Sequence, residues 1–306
     1  MLTTTAPAPD RDAAPSAPVA GRGTPARSGD LAGAVSEVRT PTVLAAAAAR
    51  RAALQGNSPA LLTVRDILGA PMPHKAGRPL ARGVIRGLLL AFGGCIVRVR
   101  GLERIATEHD PFILALNHST KLEALFLPAF LLHARGGKAL HFIADWNLKL
   151  VPGIACIYRA GDVITLDRKP ARPRFLNALR PLLTDRVPAF TRAAERLAAG
   201  ASVGIFPEGT TNRDPRRLLR GFHGAAKLSL QAGVPVVPAG VRFPRHEQAS
   251  RIPELAPMEI EFGAPLVPPA ERDLTAAAVR AWHACVMSEI ARLSGKTWSN
   301  ERKTHD

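Results

Sequence analysis

The chain has 306 residues, 46% apolar and 22% charged, which is enough to bury one large α/β core or two small ones and marks a globular protein with appendages. Lys and Arg number 41 against 25 Asp and Glu, a formal +16 that favours anionic partners, but with 5% aromatic residues and no interleaving of lysines with aromatics nucleic acid is set aside as a partner. The three cysteines (Cys95, Cys156 and Cys285) lie far apart and lack CxxC or Cys/His spacing, which argues against structural zinc and for a reducing compartment.

The first forty or so residues are rich in Ala, Pro, Gly and Ser and hold almost no large apolar side chains. Burial there cannot offset the entropy of ordering, so a disordered tail is expected. No apolar h-region follows the start, which argues against a secretory signal. "TVLAAAAARRAAL" at 42–54 reads as a short helix.

Residues 80–100, "LARGVIRGLLLAFGGCIVRVR", hold an uncharged run from Gly87 to Val97 bracketed by Arg82, Arg86, Arg98 and Arg100. As a helix the run is about 17 Å long against about 30 Å of hydrocarbon, too short to span a bilayer. Two readings stay open: a buried helix followed by a first strand, or an interfacial anchor with leucines in the acyl boundary and arginines at anionic headgroups.

From about 100 to 270 apolar runs alternate with helical ones. "FILAL" (112–116), "LHFIA" (140–144), "DVITL" (162–166), "SVGIF" (202–206), "VPVVPAGV" (234–241) and "MEIEF" (258–262) read as strands. Helices are expected near 120–133, 174–183, 189–199, 222–232 and 273–293. Strands separated by helices imply an α/β fold, a mixed β-sheet covered by helices.

Four stretches carry chemistry. "NHSTKLEALFLPAF" (117–130) follows a strand and places His118 five residues before Glu123. It reads either as a capping box of Thr120 and Glu123 or as a histidine base oriented by a carboxylate. "GDVITLDR" (161–168) ends in Arg168, and "FPEGTTNR" (206–213) leaves a strand through Glu208, Gly209 and Thr210 to Arg213. "GVPVVPAGV" (233–241) is a proline-interrupted strand. In doubly wound sheets ligands sit beyond the carboxyl ends of strands, so the histidine loop and "FPEGTTNR" are expected to share one pocket.

In order and approximate spacing these blocks resemble the motifs of the glycerophospholipid acyltransferases, the family of 1-acylglycerol-3-phosphate acyltransferases. The family's first motif is His, four residues, then Asp; His118 and Glu123 stand there, with Glu in place of Asp. Its second motif ends in an arginine matching Arg168, its third matches Phe206 to Thr210 with Arg213 beyond, and its fourth matches Val234 to Pro238. The resemblance covers roughly residues 85 to 265.

It implies a glycerolphosphate acyltransferase-like fold and transfer of a fatty acyl group from an acyl thioester, acyl-CoA or acyl-carrier protein, to a lysophospholipid hydroxyl. The default acceptor is 1-acylglycerol 3-phosphate. Within the class the acceptor could be another lysolipid or polar lipid, and outside it the chain could be a catalytically silent membrane-binding member of the fold. His118 would be the base and Glu123 its orienting acid. Arg168 and Arg213 would grip the acceptor phosphate, with backbone amides near Gly209 and Thr210 adding donors and Glu208 bonding an acceptor hydroxyl or an arginine. No metal and no cofactor is expected. The expected setting is the cytoplasmic face of an anionic membrane, peripheral or monotopic.

The expected organisation is a tail over 1–60, a membrane-interface helical segment over 61–100, the acyltransferase α/β domain over 101–270, and a C-terminal helix and tail over 271–306. "SGKT" at 294–297 is like the end of a phosphate loop, but the earlier glycine would fall at Ile290 and no strand precedes it. No GxSxG elbow supports a serine hydrolase. His109, His133, His141, His223 and His283 show no metal spacing and read as surface or core residues, His223 lying beside the expected pocket.

Overall fold

A computed structural model describes residues 64–69, 79–151, 154–171, 173–184, 187–270 and 274–300. The expected tail and the helix at 42–54 lie outside them. Apolar runs at the expected places form strands β1 (Ile96–Arg100), β2 (Ile113–Leu116), β3 (His141–Asp145), β4 (Ile164–Leu166), β5 (Val203–Ile205), β6 (Val236–Arg242) and β7 (Met258–Phe262). They form one seven-stranded sheet in the order β1-β7-β6-β2-β5-β3-β4. β6 and β7 run antiparallel and the other neighbours parallel, so the sheet is mixed. The central β2 and β5 are buried at every residue, as a strand covered on both faces requires.

At the edge the pattern changes to alternation. In β7 the apolar Met258, Ile260 and Phe262 are buried while Glu259 and Glu261 are half-buried. These acids oppose Arg98 and Arg100 of β1 in register, with N–O distances of 3.5 and 3.6 Å. Such exposed pairs add little stability, but they match charges across the edge.

The described helices are α1 (Val64–Gly69), α2 (Pro79–Phe92), α3 (Lys121–Ala134), α4 (Ile154–Ala160), α5 (Arg180–Leu183), α6 (Ala189–Ala198), α7 (Gly224–Ala232) and α8 (Ala276–Ser294). The stretch at 80–100 forms α2 followed by β1, with Leu90 46% and Val97 44% exposed. Ile85 and Leu89 are buried in the core cluster that also holds Phe126 and Phe130 of α3. Among the described residues no helix is long and apolar enough to cross a membrane. The helix expected over 174–183 is a 3-10 stretch (Arg174–Leu179) continued by α5. Pro181 has no N–H to close an α-helical bond onto Asn177, which accounts for the tighter first half. α4 and the short 3-10 turn Trp146–Leu150 were not anticipated; Trp146 is fully buried and donates to the Lys169 carbonyl at 2.9 Å.

The boundaries expected at 100 and 270 fall inside the fold, because β1 completes one sheet edge and α8 covers a face. Val286, Met287 and Ile290 of α8 are fully buried. Gly240 of β6 lies so close to the end of α8 that a Cβ there would overlap the Leu293 backbone.

α3 carries the chain back from the carboxyl end of β2 to its amino end, where a buried ion pair holds it. Arg135 donates from Nη2 to both Asp110 carboxylate oxygens at 2.7 Å and from Nη1 to the Ile105 carbonyl at 2.8 Å. Lys138 lies 2.6 Å from the same carboxylate, and the Ser202 hydroxyl donates to it while accepting from the Phe112 N–H at 3.0 Å. Burial alone would push the Asp110 carboxyl up, but Arg135, Lys138 and Ser202 outweigh it and hold the group below its usual value of 3.8. A carboxyl with a lowered folded pKa stabilises the fold above its unfolded value and stops doing so as pH falls through the lowered folded value. Asp110→Ala would leave the Arg135 guanidinium buried and unpaired, and urea unfolding at neutral pH is expected to show a loss of about 3–5 kcal/mol. Below pH of about 3.8 the difference between variant and wild type is expected to narrow.

Candidate active site

The loops after β2 and β5 meet because those strands are neighbours in the sheet. Asn117, fully buried, leaves β2 by bonding β6 with its side chain: Oδ1 accepts from the Val241 N–H at 2.7 Å and Nδ2 donates to the Val241 carbonyl at 3.0 Å. The next residue, His118, is held at its backbone by the second loop. Its N–H donates to Glu208 Oε1 at 3.1 Å, and its carbonyl accepts from the Asn212 N–H at 2.7 Å.

Glu123 makes contacts that belong to each of the two readings. Thr120 caps α3, its hydroxyl accepting from the Glu123 N–H at 3.3 Å. The reciprocal arm of a capping box does not form, because Glu123 Oε1 turns to the Ser119 N–H at 2.7 Å and to His118 Nδ1 at 3.1 Å. A carboxylate only accepts, so Nδ1 carries the proton and Nε2 is the nitrogen left for a substrate. The Glu123 side chain is fully buried and that of His118 is 12% exposed. The imidazole rests on the Phe206 ring, centroids 4.5 Å apart. The extra methylene of Glu over Asp is accommodated without loss of the contact.

Glu208 lines the cavity and is held by the protein itself. Its carboxylate bonds neither an arginine nor an open acceptor site but three protein donors: the His118 N–H, Asn212 Nδ2 at 2.7 Å and the Leu219 N–H at 2.8 Å. Burial raises the Glu208 pKa against the opposing pull of those bonds and of the Lys296 charge.

Arg168, Glu208, Gly209 and Thr210 line one cavity of about 630 Å³, together with Leu219, Arg220, Gly221, Phe222 and His223. Arg168 Nη2 donates to the Gly209 carbonyl at 2.6 Å and its guanidinium lies 4.6 Å from the centre of the Phe222 ring. Lys169 donates to the same carbonyl at 3.0 Å. Gly209 has φ of 64°, and a Cβ there would stand 2.7 Å from Phe222 and 3.1 Å from Arg168. Only glycine leaves both neighbours in place.

Arg213 is directed away from the cavity wall. Its Nε donates to the Ile252 carbonyl at 2.6 Å and its Nη1 lies 3.1 Å from Glu254 Oε1. Glu254 Oε2 in turn accepts from the Lys121 N–H at 3.0 Å, adding an acid to the N-terminus of α3.

Sequence reasoning missed Lys296, the lysine of the rejected "SGKT". It is 6% exposed, and its ammonium donates to Ser119 Oγ at 3.1 Å and to the Asp214 carbonyl at 2.7 Å. Burial lowers its pKa, while the charges of Glu208, Glu123 and Asp214 act to raise it. It is therefore the buried cation that faces the two buried glutamates. Arg220 and Phe222 were also missed, since a lone arginine or phenylalanine in a loop has no spacing to mark it. Among the described residues no three His, Cys, Asp or Glu side chains gather as a metal site.

The site thus sets a histidine–carboxylate pair beside a cavity lined by Arg168 and Arg220, on a mixed α/β sheet. Residues 96–242 match the family model Acyltransferase. It is similar to 1-acyl-sn-glycerol-3-phosphate acyltransferase LPAT1, chloroplastic, of Arabidopsis thaliana, 29% identical over 143 residues that cover 46% of this chain and 35% of the relative. The corresponding BAT2 protein of Brassica napus is 29% identical over 141 residues, again 46% of this chain and 35% of the relative. The match thus spans about a third of the length of these relatives. Among solved structures it is similar to the 1-acyl-sn-glycerophosphate (LPA) acyltransferase PlsC of Thermotoga maritima, with a TM-score of 0.47 and 20% identity over 72% of this chain and 81% of that one.

The Glu123 contact makes a prediction about the imidazole. In 15N-labelled protein the neutral His118 ring is expected as the Nδ1–H tautomer, and Glu123→Ala is expected to return it to a mixture of tautomers. A predominantly Nε2–H ring in the wild type would show that Glu123 does not orient it. Lys296→Met, which leaves Ser119 Oγ and the Asp214 carbonyl without their ammonium donor, is expected to destabilise the fold by about 1–3 kcal/mol in urea unfolding.

Proposed function

We propose that the chain transfers a fatty acyl group from an acyl thioester to the free hydroxyl of a lysophospholipid, with 1-acylglycerol 3-phosphate as acceptor and phosphatidic acid as product. The observation that carries this reading is the buried Glu123 on His118 Nδ1, which leaves Nε2 to act as a base beside a cavity lined by Arg168.

His118 Nε2 takes the acceptor hydroxyl proton as that oxygen attacks the thioester carbonyl carbon. The C–S bond then breaks and the thiolate leaves with the proton from the imidazolium. Glu123 steadies the imidazolium through Nδ1–H, and no covalent enzyme intermediate or cofactor is needed. Arg168 and Arg220, both exposed on the cavity wall, supply forked donors for the acceptor phosphate, and Lys169 adds charge beside them. Arg213 joins them only by leaving Glu254. Glu208 is a positioning residue, because it reaches the reaction through the His118 backbone. The donor is acyl-CoA or acyl-carrier protein, and the surplus of basic residues suits an anionic membrane at a cytoplasmic face.

The test is thiol release from a long-chain acyl-CoA by purified protein in detergent, with and without 1-acylglycerol 3-phosphate. His118→Ala is expected to lower acceptor-dependent release by roughly a hundred- to ten-thousandfold. Arg168→Ala is expected to raise the acceptor KM at least about tenfold with a smaller change in kcat. Release that ignores the His118 substitution would sink the mechanism.

A further inference from the structure

The segment 174–183 exposes three large apolar side chains: Phe175 is 75% exposed, Leu179 40% and Leu182 80%. Phe175 and Leu179 stand on the 3-10 stretch and Leu182 on α5, so the three apolar groups crowd one short surface segment. Exposed apolar groups gathered in one place signal a surface that meets something apolar.

The flanks of the face are basic and its position is specific. Arg174 and Arg180 are exposed on the same segment. Arg180 forms an ion pair with Asp167, the residue before Arg168 and Lys169. Those two both bond the Gly209 carbonyl, and Arg168 lies over Phe222, which is 57% exposed on the cavity wall. A short chain of contacts therefore ties the apolar face to the cavity that holds the acceptor in the reading above.

We propose that this face docks on an anionic lipid bilayer. Phe175, Leu179 and Leu182 enter the acyl boundary, Arg174 and Arg180 meet headgroup phosphates, and the cavity is held where a lipid acceptor can enter it without leaving the interface. Apolar side chains flanked by arginines match the layering of an anionic bilayer, hydrocarbon beneath charged headgroups, so the combination favours lipid. The purpose of docking rests on the proposed lipid acceptor; the docking itself does not.

The test is co-sedimentation of the full chain with vesicles of phosphatidylcholine alone or mixed with phosphatidylglycerol, beside thiol release with the acceptor presented in detergent micelles. Wild type is expected to bind the mixed vesicles more tightly. Phe175→Ser with Leu182→Ser is expected to weaken that binding at least about tenfold, and Arg174→Gln about fivefold on anionic vesicles only. Both variants are expected to turn over acceptor in micelles as wild type does. Vesicle binding that ignores the Phe175 and Leu182 substitutions overturns the proposal. So does a defect confined to turnover with an acyl-carrier-protein donor, which would make the face a protein dock. An inactive chain that still binds through these residues would overturn the acyl-transfer reading and leave the docking face standing.

Discussion

The carboxylate of Glu208 is where the two halves of the site become one. It sits buried at the carboxyl end of β5 and accepts from the His118 backbone, from Asn212 and from Leu219. An unsatisfied buried carboxylate would be far costlier than a turn geometry, so these donors must come to it. The Asn212 N–H closes the clamp by bonding the His118 carbonyl. His118 is thereby placed at its backbone by one loop and at its ring by α3 through Glu123, which leaves the imidazole little freedom.

Electrostatic balance explains why the site extends beyond the family-matched segment. Glu123 and Glu208 are both buried, and the buried ammonium that faces them comes from Lys296, after α8. Its bonds to Ser119 Oγ and the Asp214 carbonyl tie the histidine loop to the loop after β5 from a third direction. Glu254, before β7, does the same for the start of α3 and draws Arg213 with it. The cavity cations show the opposite arrangement. Arg168 shares the Gly209 carbonyl with Lys169, which itself pairs with Asp145 at 3.4 Å, and lies on an aromatic ring, contacts that orient the Arg168 guanidinium without neutralising it.

Local pattern was a good guide where burial is uniform along an element. "FILAL", "SVGIF" and "VPVVPAGV" became central strands because continuous apolar runs suit strands covered on both faces. It was a poorer guide where one run had two uses. "GLLLAFGGCIV" is apolar enough for an interface and for a core, and only tertiary packing decided that Leu89 is buried with Phe126 and Phe130 while Leu90 and Val97 stay exposed. The site followed the same division. The contact of His118 with Glu123 was legible from spacing, and the gathering of Arg168, Gly209 and Thr210 on one cavity from their places after strands. The roles of Glu208 and Arg213 were not, because each is defined by a partner distant in sequence or on another loop.

By itself the sequence determined the alternation of strands and helices, the excess of positive charge, and a histidine and an acid at a spacing that puts them on one helix start. These are local or additive properties, readable from periodicity and from the order of residues. Tertiary structure decided which charges are buried together. Sheet order brings β2 beside β5 and β6, and the return of α8 across β6 brings Lys296 to Ser119 over 177 positions of chain. Burial and charge pairing at such separations depend on how the layers stack, and no local pattern carries that information.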